Sequence, residues 1–135
     1  MSRDGFNNVT FYNKCNRQGP FVVLIRVQSK KIYGGYNPIG YTRRDRWLSS
    51  TESFVFSFEN DQDIHNMKIC RSLNTNCSVL DYCNHDKFFS FGDMLYIYEQ
   101  NLFVGYNNIH YENNFGKKNS LYFIEEIEIF SVVKK

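Results

Sequence analysis

The side chains best suited to chemistry in this chain are its 4 cysteines and 3 histidines. Cys70, Cys77, Cys83 and His85 run as C-x6-C-x5-C-x-H, four ligands of the kinds that zinc accepts in a tetrahedral site. The usual zinc modules present two close pairs, and here only Cys83 and His85 are close. The thiols therefore read as small hydrophobes or surface thiols, and no metal or other cofactor is expected. Thiol catalysis needs a histidine beside the sulfur, and no spacing pairs His65, His85 or His110 with Cys15, Cys70, Cys77 or Cys83. There is no Cys-x-x-Cys motif, and a sensor thiol would depend on exposure and a lowered pKa, which spacing does not encode.

Carboxylates give a second set. Glu125, Glu126 and Glu128 resemble an acid–base cluster, but Glu126 and Glu128 alternate with Ile127 and Ile129. That is the pattern of a half-exposed strand, which is the preferred reading over acid–base work, with a contact surface on the sheet face as the lesser alternative. Asp61-Gln62-Asp63 opens like a calcium loop and lacks the glycine and glutamate that complete one. Phosphate loops, nucleophile elbows, dinucleotide fingerprints and His-Glu-x-x-His are all absent. No nucleophile, base and orienting group can be named together, so the chain is expected not to be an enzyme.

The remaining cluster is Arg43, Arg44 and Arg46 beside Trp47, with Asp45 interrupting it. Guanidinium groups next to an indole are what single-strand binders use and are enriched at protein hot spots, but a solvated loop between strands explains the run as well. The chain carries 16 basic and 14 acidic side chains, a net charge of +2, so no broad basic field supports nucleic acid. These four residues are the candidate protein contacts.

The elements that must hold them are mostly strands. A chain of 135 residues can bury one core, and its 18% aromatic content suits a pleated sheet. The segment 21–27 is a nearly continuous apolar run, and 32–36 follows a Ser-Lys-Lys turn as its hairpin partner. Gly34-Gly35 inside that second strand signals a bulge or a close backbone approach. Residues 53–58 alternate, with Phe54, Phe56 and Phe58 on one face and Ser53, Val55 and Ser57 on the other. Strands are also expected at 67–71, 94–98, 102–105 and 121–133, with a short helix ending near Cys15 and polar loops at 37–46 and 106–120. This order predicts one mainly β domain, a two-sheet antiparallel β-sandwich with one or two short flanking helices. There is no apolar leader or spanning segment, which predicts a cytoplasmic chain with reduced thiols and no membrane insertion.

Several segments, in order, resemble the TLDc domain of the oxidation-resistance proteins. They are Ser2-Arg3-Asp4-Gly5-Phe6, Gly19-Pro20 before the first strand, Ile32-Tyr33-Gly34-Gly35-Tyr36, Trp47 with Phe54 to Phe58, Phe91-Gly92-Asp93-Met94-Leu95-Tyr96-Ile97, and Glu126-Ile127-Glu128-Ile129-Phe130. The resemblance implies a non-catalytic intracellular interaction module linked to protection from oxidative damage. As in several family members, it also implies the vacuolar proton-pumping ATPase as a partner, and the isolated domain is expected to be monomeric. Against the family pattern, the chain starts at the Ser-Arg-Asp-Gly-Phe motif, as though inside the domain. The alternatives that remain are a thiol-based redox enzyme or sensor and a small-ligand, sugar-binding sandwich using the tyrosines and asparagines of 96–111.

Overall fold

The computed structural model describes residues 19–41, 46–59, 64–73, 78–81, 88–92, 94–98, 100–105, 111–112, 115 and 119–132. The expected helix near Cys15 lies outside them. Phe21–Val27 forms β1, in which Phe21, Val23, Ile25 and Val27 are buried while Val22, Leu24 and Arg26 are half-buried on the other face. The chain reverses at Lys30, whose φ of 73° is left-handed and whose amide donates to the Val27 carbonyl at 2.9 Å. It returns as β2, Ile32–Asn37.

The remaining strands are β3 (Arg46–Leu48), β4 (Phe54–Phe58), β5 (Lys68–Arg71), β6 (Val79–Asp81), β7 (Phe88–Phe91), β8 (Leu95–Tyr98), β9 (Asn101–Val104) and β10 (Ser120–Ser131). Six of these join β1 and β2 in one eight-stranded antiparallel sheet in the order β5-β4-β2-β1-β10-β9-β8-β7, and β3 pairs with β6 in a separate ribbon. The fold is thus mainly β and antiparallel, and a 3-10 turn at Ile64–Asn66 is its helical segment among the described residues. The short strands β3, β6 and β7 carry little periodicity, and sequence reasoning did not find them.

The longest strand serves two partners. Ser120 to Phe123 of β10 pair with β9, and Ile124 to Ser131 pair with β1. Between Arg26 and Val27 the register shifts, so that Val27 faces Ile124, Arg26 faces Glu126, and Glu125 is the extra residue of a bulge. An inserted residue reverses which side chains face the core. Ile124 points inward before the bulge and Ile127 after it, both fully buried.

The sheet also folds over on itself. Gly35 in β2 and Phe91 in β7 belong to the third and eighth strands of the order, about 24 Å apart if the sheet were flat. Yet a Cβ on Gly35 would stand 2.5 Å from the Phe91 ring. The two halves therefore face each other, with Val23, Ile25, Val55, Cys70, Leu95, Ile97, Leu102, Ile124 and Ile127 fully buried between them. Gly34 is filled from the opposite side, where a Cβ would meet the Phe56 ring at 2.5 Å. The glycine pair does not interrupt the strand, since its ladder to β1 and β4 is unbroken. It lets aromatic rings approach the backbone from both faces.

Candidate interaction surface

Of the four candidate contacts, Arg43 and Arg44 lie outside the described residues. Arg46 opens β3 opposite Asp81, and Trp47 sits opposite Leu80 and is half-buried, so part of its ring packs within the fold. The cysteines divide in the same way. Cys70 is fully buried in β5 opposite Val55, while Cys15, Cys77, Cys83, His85 and His110 lie outside the described residues. His65 is exposed on the 3-10 turn, whereas the Cys70 thiol is fully buried. Among the described residues no three His, Cys, Asp or Glu side chains come together as a metal site would require.

Sequence reasoning placed Tyr111 among the exposed tyrosines and asparagines of 96–111, and this is corrected: Tyr111 is fully buried. Its hydroxyl meets the Ser53 hydroxyl at 2.8 Å and donates to the Ser78 carbonyl at 2.7 Å. Ser72 Oγ donates to the Ser50 carbonyl at 2.6 Å and lies 3.0 Å from Ser78 Oγ, while Ser50 Oγ accepts from the Ser53 amide at 3.0 Å. The short bridge between Ser72 and Tyr111 thereby ties this segment to the edge of β5 and to the start of β6. Burial raises the Tyr111 phenol pKa, and the Ser53 hydrogen bond opposes that rise in part. The named partners are hydroxyls and carbonyls, with no imidazole or carboxylate among them. Such a cluster satisfies buried polar groups and pins loops. Phe115, from the same loop, packs edge-on to Tyr33 at 5.7 Å between ring centroids.

The surface with open chemistry is the outer face of β4, β2, β1 and β10. Cross-strand pairing sets its side chains in rows: Phe58, Ile32, Arg26 and Glu126; then Phe56, Gly34, Leu24 and Glu128; then Phe54, Tyr36, Val22 and Phe130. The phenylalanines of β4 stand on this face, and the smaller Ser53, Val55 and Ser57 turn to the core. The aromatic side chains form a ladder, with Tyr36–Phe54 at 5.5 Å, Phe54–Phe56 at 6.1 Å and Phe56–Phe58 stacked at 5.9 Å. Towards β10 the face turns charged. Arg26 Nη2 donates to Glu126 Oε2 at 3.0 Å, and Lys30 Nζ to Glu125 Oε1 at 2.8 Å. Both pairs are about a third or more exposed and contribute little stability, about 0–1 kcal/mol each. A groove of about 190 Å³ opens between Leu24, Arg26, Ile32, Glu126 and Glu128. The carboxylate alternation of its β10 wall was legible in the sequence. Its other wall was not, because Arg26 lies 100 residues from Glu126 in the chain.

A profile of the TLDc domain matches residues 1–133. No curated protein matches the chain.

Proposed function

We propose, from the premise that this chain belongs to the TLDc domain family, that it is a non-catalytic module whose activity is to bind another protein. The observation that carries this reading is the division of its polar groups. The buried hydroxyls of Ser53 and Tyr111 are bonded into the framework, whereas Glu128 and the apolar Tyr98, Leu121 and Phe130 stand at the surface. A rigid scaffold with an amphipathic exterior suits recognition better than turnover. The family resemblance further suggests an intracellular setting, a contribution to protection from oxidative damage, and subunits of the vacuolar proton-pumping ATPase as the partner. Full burial of Cys70 argues against that thiol as a peroxide sensor.

An affinity pull-down from source cells tests the proposal. Recovery of pump subunits, reduced when Arg43, Arg44 and Arg46 are replaced by Ala and Trp47 by Phe, is the expected result. Recovery of nucleic acid alone, or a saturable peroxidase rate abolished by a single Cys→Ser change, would overturn it.

A further inference from the structure

The groove between β1, β2 and β10 has an apolar floor at Leu24 and Ile32 and charged walls at Arg26, Glu126 and Glu128. We propose that it receives a lysine or arginine side chain carried on a helix of the partner protein. This inference deepens the interaction-module reading and rests on it.

Charge selects the occupant. Two carboxylates and one guanidinium leave the walls at one net negative charge. Arg26 already holds Glu126 at 3.0 Å, and Glu128 has no ion-pair partner among the described residues. A long basic side chain matches both features of the groove, laying its methylene stem over Leu24 and Ile32 and bringing its cation to Glu128. An acidic or purely apolar side chain would leave the Glu128 carboxylate without a counter-charge as water is displaced.

Backbone chemistry selects its conformation. The floor strand β1 is paired with β2 on one side and β10 on the other, so its ladder groups are already bonded. An extended segment laid across this face would find no backbone partner, whereas a helix arrives with its own hydrogen bonds made. Spacing adds a second requirement. Phe130, 48% exposed, lies two residues beyond Glu128 on the same face, about 7 Å along the strand. Residues four apart on a helix are separated by about 6 Å along its axis. The helix therefore carries a basic residue and an apolar residue one turn apart.

The test is a nuclear magnetic resonance titration of the full chain with a capped, alanine-rich helical peptide of about 16 residues, long enough to hold a helix. It bears Lys and Leu four positions apart, and its twin bears Glu in place of the Lys. The Lys peptide is expected to shift the amide signals of Leu24, Ile32, Glu128 and Phe130, and the Glu twin is not. Glu128→Lys, a change at an exposed side chain, should weaken binding on the order of tenfold, and added salt should weaken binding to the wild-type chain. Equal shifts from both peptides, shifts confined to other strands, or no shifts would overturn the proposal. Self-association of the wild-type chain that Glu128→Lys abolishes would overturn it too, assigning the groove to a second copy. In the pull-down, recovery of the partner unchanged by Glu128→Lys sinks the groove and leaves the module standing. Loss of all recovery by the wild-type chain sinks the module itself.

Discussion

At the scale of single residues, Tyr111 shows how a polar side chain is tolerated in the core. Its hydroxyl satisfies the Ser78 carbonyl and meets the Ser53 hydroxyl, and its ring packs edge-on against Phe91 at 6.3 Å. Tyr111→Phe keeps the ring and removes the donor, so the Ser78 carbonyl loses a partner at a cost of about 1–3 kcal/mol near neutral pH. The same substitution has a signature in alkali. Burial raises the Tyr111 pKa above the ordinary 10.0, and burial followed by the Tyr122 hydrogen bond raises that of Tyr33. The folded chain then keeps protons that the unfolded chain releases. This stability is complete below about pH 10 and is lost as pH rises above it towards the folded values. Denaturant midpoints measured at about pH 8 and about pH 11 should fall more steeply for the wild type than for Tyr111→Phe, with Tyr33 keeping some slope in the variant. Identical slopes would show that Tyr111 does not stay protonated through the buried network.

At the scale of elements, the bulge at Glu125 decides which side chains reach the core. Replacing Glu125 by Ala removes an exposed ion pair to Lys30 and should change stability by no more than about 0.5 kcal/mol. Deleting it removes the extra residue, and one half of β10 must then turn its apolar set outward. Since Ile124 and Ile127 are both fully buried, the deletion should cost as much as truncating a core residue, about 2–5 kcal/mol or more. Equilibrium unfolding of the two variants separates these outcomes, and similar values for both would refute the parity switch. The strands around this site were legible in proportion to their pattern. The apolar run of β1 and the alternation of β4 and β10 gave their positions to within a few residues. What the pattern of β4 does not contain is which face is the core. Phe54, Phe56 and Phe58 are the larger side chains, yet Val55 is the one fully buried, because Cys70 beside it and Phe91 across the fold occupy that space. The groove has the same origin. Each wall is an ordinary strand face, and only pairing across 100 residues of chain brings Arg26 to Glu126.

At the scale of the whole molecule, β10 makes the two halves of the sheet one body. It pairs with β1 through Ile124 to Ser131 and with β9 through Ser120 to Phe123, so neither half can lose it and keep its edge bonded. The β3–β6 ribbon is tied in as well. Leu48 is buried, its carbonyl accepts from the Ser78 amide at 2.9 Å, and Ser78 reaches Tyr111 through its own carbonyl. Pairings as distant as Arg26 with Glu126 place this topology among those that fold in milliseconds to seconds, because loop closure precedes any gain from contact. The chain has 1 tryptophan, Trp47, and it lies in the ribbon, whereas far-ultraviolet circular dichroism is dominated by the eight-stranded sheet. If the ribbon and both halves share one core, denaturant unfolding followed by Trp47 fluorescence and by circular dichroism should give coincident midpoints and a single transition. A fluorescence transition at lower denaturant would instead make the ribbon a separately opening unit, of the kind from which mobile binding elements are drawn. In that event the candidate contacts Arg46 and Trp47 would move independently of the groove at Glu128, and mutations at the two places would act additively on any partner binding.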